Sequence, residues 1–165
     1  MTELTLCYPA ELLGDWKLGR LHPIWYRRDM ATFCELDFSN AKSQFFRGLH
    51  FGEWFIARYF LRKGYRVLPE KYLNQKRPRA LRKATEILGE AGVSYLKRIR
   101  RFGGSELRTS PRPDLLVYKS NLKTFFFVEV KRDADRLSRA QRQVFPMIEV
   151  RLGCKVIIVK LTVKE

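Results

Sequence analysis

The stretch that organises this chain is residues 113–141, PDLLVYKSNLKTFFFVEVKRDADRLSRAQ. Apolar and β-branched residues predict strands at 113–118 and 124–131, joined by a polar turn. Downstream, residues 138–152 show a helical pattern, and the β-branched residues 155–161 predict a third strand. With a long helix upstream, this order indicates an α/β fold with a mixed central sheet flanked by helices.

Two carboxylates and a lysine are predicted to lie side by side on this hairpin. Side chains alternate between the two faces of a strand, so Glu129 and Lys131 share one face. A turn near residues 121–122 would set Asp114 opposite Glu129. Neighbouring carboxylates repel each other and are costly to bury, and Mg²⁺, which takes oxygen ligands, would remove both costs. Taken singly, an E-x-K pair or a Pro-Asp turn is an ordinary structural feature.

A third carboxylate lies in a helix predicted over residues 40–63. Glu53 falls inside the apolar stripe of this helix, and a glutamate on a buried stripe is either paired or a ligand. Gly52 beside it would let another backbone come close. The competing interpretation is a simple ion pair, with Arg47, Arg58 or an arginine further along the chain as the partner.

Gln141 has both a structural and a functional interpretation. Residues 138–141, SRAQ, match the S-x-x-Q capping box that begins a helix. The amide of Gln141 could still face the carboxylates from the first turn of that helix. His22 and His50 have no partners at metal-ligand spacing and are interpreted as structural, and Cys154 is interpreted as a core residue.

Length and composition limit the number of domains and the cellular compartments that are expected for the protein. A chain of 165 residues, 45% of them hydrophobic, can form one domain with a real core. No apolar run is long enough to span a membrane, and the start lacks the basic patch of a secretory signal. Three scattered cysteines suit neither a disulfide framework nor a Cys-rich zinc site. We therefore expect a protein that is not secreted and acts in the cytoplasm, at the nucleoid or in the interior of a virus-infected cell.

The first 40 residues are expected to form an irregular N-terminal arm. Prolines and glycines interrupt any long periodicity there. Trp16, Trp25 and Tyr26 could anchor the arm on the domain or on a partner subunit. Residues 41–165 would then form the main domain, with a basic insertion at about 71–110.

The charge of the chain predicts a polyanionic partner. There are 33 Lys and Arg against 17 Asp and Glu, a net charge of +16, and such an excess is typical of proteins that bind nucleic acid or an anionic membrane surface. Residues 62–112 hold 15 of the basic residues and only 4 acids. This basic zone lacks the clean amphipathic pattern of a membrane-surface helix, so we predict that it binds DNA phosphates. The predicted DNA contacts are Lys76, Arg77, Arg79, Arg82, Lys83, Lys97, Arg98, Arg100 and Arg101.

The order of these features resembles a known group of enzymes. An acid on a buried helix, P-D at a strand, E-x-K on the next strand and a helix with Gln resemble the PD-(D/E)XK nuclease superfamily. Residues 129–141, EVKRDADRLSRAQ, are similar to the VRR-NUC (virus-type replication-repair nuclease) family, where E-V-K is followed by D-R-L-S and a Gln. The resemblance covers about residues 45–70 and 111–162. Arg132 departs from the usual Gly, and Pro146 predicts a kink or early break in the last helix.

The resemblance also implies roles for the candidate residues. Lys131 would position the attacking water, and Gln141 would orient Lys131 or a phosphate. Asp114 and Glu129 complete the implied catalytic set for in-line hydrolysis of a phosphodiester bond. The implied ligands of Mg²⁺ or Mn²⁺ are Glu53, Asp114, Glu129 and the backbone carbonyl of Val130.

The implied protein is a metal-dependent, structure-selective DNA endonuclease with a restriction-endonuclease-like core in residues 41–165. Because no sequence-reading module is evident, it would recognise DNA shape. Stand-alone members of the family resemble Holliday-junction resolvases, which act as homodimers, and the N-terminal arm could form the dimer interface. The alternatives are a flap or nicking nuclease with one active site, a non-catalytic DNA-binding module on the same fold, and a defence nuclease that cuts DNA or RNA without selectivity.

Overall fold

Five strands in the described part of the chain form one mixed sheet. The computed structural model describes residues 1–28, 50–99 and 111–164. In chain order the elements are β1 (Thr2–Tyr8), α1 (Ala10–Lys17), α2 (Leu21–Arg28), α3 (Phe51–Arg62), β2 (Arg66–Pro69), a 3₁₀ turn (Glu70–Leu73), α4 (Pro78–Ile99), β3 (Leu115–Tyr118), β4 (Phe125–Arg132), α5 (Arg139–Leu152) and β5 (Val156–Val163). The strand order is β1-β5-β4-β3-β2. Strands β1, β5 and β4 run parallel, and β3 is antiparallel to both β4 and β2.

The β3–β4 hairpin confirms the register predicted from the sequence. Tyr118 pairs with Phe125, as a turn near residues 121–122 requires. In that turn, Asn121 Oδ1 accepts hydrogen bonds from the N–H groups of Lys123 and Thr124, at 3.0 and 3.3 Å. A side-chain acceptor of this kind replaces a backbone partner and stabilises the turn. The local sequence therefore determines how the two strands pair.

Helices cover both faces of the sheet. Val130 of β4 packs against the start of α3, where Gly52 lies, while its neighbour Glu129 is hydrogen-bonded to Gln141 of α5. Because consecutive residues of a strand point to opposite faces, α3 and α5 lie on opposite sides of β4. This confirms the predicted mixed α/β architecture.

The N-terminal residues are not irregular, which corrects our expectation for them. Strand β1 pairs with β5 along its whole length, and α1 and α2 follow it. Tyr8 and Trp16 are fully buried and Trp25 is nearly so. The alternation of apolar Leu4, Leu6 and Tyr8 with polar residues is a strand pattern. It was not recognised because the prolines and glycines of the following residues indicated irregular structure. Residues 1–28 thus belong to the core of the domain.

Other expectations for this region lie beyond the described residues. The predicted boundary at residue 40, the start of the predicted helix over 40–49, Cys34 and the side chain of Tyr26 are all in parts that the structure does not describe. From residue 51 on, the helix is as predicted: α3 ends at Arg62, and Gly64 follows with a φ of 76°. A role of the N-terminal segment in a dimer stays a prediction.

Gly52 lies at a close contact between α3 and the sheet. A Cβ atom at this position would lie 2.9 Å from Val130 Cγ1 and 3.4 Å from Leu161 Cδ1. The first of these distances is too short for carbon atoms, so any larger residue would displace the helix or the strand. Since Glu53 is the next residue of α3, this contact also determines where its backbone lies.

Replacing Gly52 with alanine should therefore lower the free energy of unfolding by about 1–3 kcal/mol, because the added methyl group overpacks the contact. Urea denaturation measures this change. The matched control is Gly14→Ala in α1, where a Cβ would meet no atom within 4 Å; it should leave stability unchanged or raise it, since alanine favours the helix. Equal stability of the two variants would contradict the close contact.

Helix α4 carries five of the 15 basic residues of the basic zone and is bent in its middle. It begins at Pro78, as predicted, and Gly89 interrupts it with a φ of 69° and a ψ of 165°. Ala84, Val93 and Leu96 are among its buried residues. A bend at Gly89 lets both halves of this amphipathic helix keep their apolar side against the domain while the basic side faces solvent.

Of the kink or early break expected at Pro146, the early break does not occur in helix α5. It continues to Leu152 and ends at Gly153, whose φ is 60°. Pro146 is exposed, so its ring costs the helix one backbone hydrogen bond on the solvent side. Cys154, just beyond the helix, is half-buried, and burial together with Glu149 raises the pKa of its thiol to about 12.

None of the helices in residues 1–28, 50–99 and 111–164 is long and apolar enough to cross a membrane.

Candidate active site

Glu129 is the centre of the candidate site. It lies in the middle of β4, and only 2% of its side chain is exposed. Its Oε1 is 2.6 Å from Lys131 Nζ and accepts a 2.6 Å hydrogen bond from Gln141 Nε2. The side chain of Lys131 is itself only 15% exposed. A charge buried this deeply needs a partner, and the two-residue spacing on the strand supplies one from the same face.

The capping box of α5 positions the side chain of Gln141. Ser138 Oγ accepts a hydrogen bond from Gln141 N at 3.1 Å, and Gln141 Oε1 accepts one from Ser138 N at 3.1 Å. With its oxygen held by the backbone of Ser138, the amide directs its nitrogen toward Glu129. The cap and the contact of Gln141 with Glu129 are therefore compatible, because the cap determines where the amide points.

Replacing Ser138 with alanine should remove the cap and loosen Gln141 at once. We expect the free energy of unfolding to fall by about 1 kcal/mol, and Gln141 to lose its fixed orientation toward Glu129. Ser138→Thr keeps the hydroxyl and serves as the control. An alanine variant with wild-type stability would show that the cap contributes nothing.

Asp114 lies next to β4 at the entrance of β3. Its Oδ2 accepts a 2.8 Å hydrogen bond from the backbone N–H of Val130. The last pair of the β3–β4 ladder is Leu115 with Val128, and extending that register by one residue sets Asp114 opposite Glu129. The structure thus brings Asp114, Glu129 and Lys131 to one end of the hairpin, as the sequence predicted.

Glu53 is less buried than its place in the apolar stripe suggested. It lies in the first turn of α3 with 29% of its side chain exposed, and its Oε1 is 3.5 Å from His50 Nδ1. Of the arginines considered as partners, Arg58 lies over the ring of Trp25 at 4.5 Å, and Arg47 lies outside the described residues. His50 is the residue that sequence reasoning missed. Its position three residues before Glu53, one helical turn away, was the available signal.

The oxygen donors of the site suit a hard cation only in part. Two carboxylates, Asp114 and Glu129, and the carbonyl of Val130 are donors of the type that Mg²⁺ prefers. However, within the part of the chain that the structure describes, no three His, Cys, Asp or Glu side chains are close enough to hold a metal ion together. Glu53 contacts His50 rather than completing such a group. The four-ligand set, with Glu53 included, stays a prediction.

The predicted DNA contacts that the structure describes lie before or within α4 and are exposed or half-buried. Lys76 and Arg77 precede α4, and Lys76 follows a turn in which its N–H donates to Asn74 Oδ1. Lys83 forms an ion pair with Glu86. Arg100 and Arg101 lie outside the described residues. The side chains of Lys76, Arg79, Arg82, Lys97 and Arg98 are exposed.

An α/β sheet with E-x-K on one strand, P-D directly before its partner strand and Gln on the following helix is an arrangement typical of a nuclease-type domain. The comparison with protein families agrees: the model of the VRR-NUC domain matches residues 53–161. The chain therefore belongs to the VRR-NUC family, a PD-(D/E)XK-like nuclease domain, which suggests a nuclease that binds DNA. Strand β1 and helices α1 and α2 precede the matched segment. No curated protein matches the chain.

Proposed function

We propose that the protein is a metal-dependent DNA endonuclease that hydrolyses phosphodiester bonds and selects branched DNA such as Holliday junctions. The observation that carries the proposal is the contact of Glu129 with both Lys131 and Gln141 at 2.6 Å, next to Asp114. A buried acid, a lysine two residues later and an amide from the next helix form the constellation expected for this chemistry, within a chain of the VRR-NUC family.

Asp114, Glu129 and the carbonyl of Val130 would hold Mg²⁺ or Mn²⁺, with Glu53 joining them if it leaves His50. When bound, the metal supplies charge stabilisation on the phosphate and on the leaving oxygen. The chain's own residues would position the attacking water and the phosphate. Lys131 donates a hydrogen bond to the attacking water, and its charge offsets the negative charge of the phosphate.

Gln141 keeps the carboxylate of Glu129 in one orientation, because its own amide is held by Ser138. The near-complete burial of Glu129 keeps bulk water away from this carboxylate. A low-dielectric surrounding of this kind strengthens the interaction of Lys131 with an incoming phosphate. The site is thus organised before the substrate binds.

The substrate proposal rests on charge. The net charge of +16 favours a polyanion, and the exposed residues of α4 offer a basic surface for phosphates. A surface of this kind follows the backbone without reading bases, so recognition would depend on the shape of the DNA. A homodimer would present two active sites to a two-fold symmetric junction.

The deciding experiment compares four labelled substrates: a four-way junction, a flap, a nicked duplex and a linear duplex, each with Mg²⁺ or with EDTA. We expect symmetric cleavage of the junction in Mg²⁺ and none in EDTA. Cleavage of only the flap or nick would retain the chemistry and exclude the resolvase. Cleavage of all four DNA substrates without preference, or of a labelled RNA run beside them, would support a defence nuclease.

One observation favours a second candidate function, a non-catalytic DNA-binding module. Both Glu129 and Glu53 already have basic or amide neighbours, and no metal-binding group of three side chains forms among the described residues. A protein of this kind would bind the same substrates with nanomolar to micromolar affinity and cleave none of them in any metal.

A further inference from the structure

The face of the sheet that carries Lys131 continues beyond the candidate site. In the register of the parallel strands, Lys131 of β4 pairs with Lys160 of β5, and Lys160 pairs with Thr5 of β1. Paired residues of adjacent strands point to the same face. Three polar side chains from three strands therefore lie in a row, with neighbouring backbones about 4.8 Å apart.

Lys160 and Thr5 of this row are open to solvent, whereas Lys131 is mostly buried and the same face is covered a few residues away. Val156 and Ile158, which precede Lys160 on β5, are buried in the hydrophobic core. Lys160 itself is 52% exposed. Helix α5 begins beside Glu129 of β4 and therefore covers only the part of this face that precedes Lys131 and Lys160. An exposed polar strip is left between the active-site end of β4 and the edge of the sheet.

Further polar groups extend the strip along β1. Cys7 Sγ lies 3.4 Å from Thr162 Oγ1, and Glu3, 61% exposed, forms a 2.9 Å ion pair with Lys160 Nζ. The sheet-face strip, as we call it, thus consists of Lys131, Lys160, Thr162, Thr5, Cys7 and Glu3. Glu3, Thr5 and Cys7 precede the segment matched by the family model.

The arrangement of charge on the strip suits a chain of phosphates. Two lysines lie side by side, and Thr5 and Thr162 add hydroxyl donors of the kind that bind phosphate oxygens. Glu3 is the only acid among these six residues and neutralises Lys160 in the absence of a ligand, while Lys131 is paired with Glu129 of the candidate site. Because both partners are more than half exposed, this ion pair contributes little to stability and can exchange for a phosphate.

We propose that the sheet-face strip binds the phosphodiester backbone adjacent to the cleaved bond, with Lys160 as a phosphate contact and Glu3 as its competitor. This inference rests on the proposed function, and it adds a second DNA-binding surface, separate from α4. The strand being cut would cross Lys131 and continue over Lys160 toward β1.

The opposite effects of Glu3 and Lys160 make the inference testable. DNA binding is measured by fluorescence anisotropy in EDTA, so that no cleavage occurs, with a labelled junction and a labelled duplex. Lys160→Gln should weaken binding and reduce the slope of log affinity against log salt by about 0.9, the value of one phosphate contact on duplex DNA. The loss of affinity at about 50 mM salt should then exceed the loss at about 200 mM by roughly threefold.

Glu3→Gln removes the competitor and should tighten binding instead. A folding defect cannot produce a gain of affinity, so this variant keeps the test independent of protein quality. The matched control for Lys160→Gln is Lys123→Gln, in the exposed turn between β3 and β4. It lowers the net charge by the same amount at a position far from the strip. Its affinity should stay near the wild-type value.

Two failures can be told apart. If the wild-type protein binds no DNA, the proposed function fails and the inference fails with it. If the wild type binds and cleaves DNA but Lys160→Gln and Lys123→Gln lose affinity equally, or Glu3→Gln leaves binding unchanged, only the inference is overturned. In that case the charge reversals Lys160→Glu and Lys123→Glu should also lower DNA affinity by the same factor.

Discussion

Replacing Lys131 with alanine should lower the rate of DNA cleavage by about 10³-fold while DNA binding changes far less. The ammonium group lies 2.6 Å from Glu129 Oε1 and is 15% exposed, so it is held beside the carboxylate where the attacking water would lie. Its loss removes a water-binding group and a positive charge that act mainly in the transition state. Single-turnover cleavage with saturating protein measures the chemical step alone.

Two comparisons make the Lys131 result specific. Lys123→Ala removes an exposed lysine from the far turn of the same hairpin and should cleave DNA at the wild-type rate. Anisotropy in EDTA shows whether Lys131→Ala still binds the substrate. A Lys131→Ala protein that cleaves within tenfold of the wild type would remove Lys131 from the catalytic set.

Replacing Glu129 with glutamine should abolish cleavage and the response to metal together. Glutamine keeps an oxygen that can accept the hydrogen bond from Gln141, but it removes the charge that would hold Mg²⁺. For the wild type we expect the melting temperature to rise as Mg²⁺ or Mn²⁺ is added, since a ligand that binds only the folded state stabilises it. Differential scanning fluorimetry should find no such rise for Glu129→Gln.

The same substitution should also lower stability, because the mostly buried Lys131 loses the carboxylate beside it. Breaking such a pair from one side typically costs about 3–5 kcal/mol, and the residual exposure of Lys131 puts our expectation at the lower end. The double variant Glu129→Gln/Lys131→Met should recover most of this loss without recovering activity. A Glu129→Gln protein that keeps the wild-type metal response would exclude Glu129 as a ligand.

Short-range patterns gave the correct account of the hairpin and of the start of α5, although not of the helix at Pro146. The apolar residues of 113–131 and the polar turn between them predicted both strands and their register. The pairing of Tyr118 with Phe125 confirms that register. The capping box of Ser138 and Gln141 is present as predicted. Each of these features depends on residues close together in sequence, where the energies of the turn, the cap and the pleat decide the outcome.

Other features depended on contacts between distant segments. Strand β1 pairs with β5 across more than 150 residues of chain, and no local pattern states which strand an isolated edge segment will join. The contact of Glu53 with His50 likewise follows from how α3 enters the fold.

By itself, the sequence determined the family, the α/β class, the hairpin register and the neighbourhood of Asp114, Glu129 and Lys131. Only the tertiary structure decided that residues 1–28 complete the sheet and its core, and that Lys160 stands beside Lys131 on an exposed face. The physical reason is that hydrophobic periodicity and helix caps reflect interactions between residues close together in the sequence. Parallel pairing, in contrast, joins strands through long connections, and which of them meet depends on the packing of the whole core.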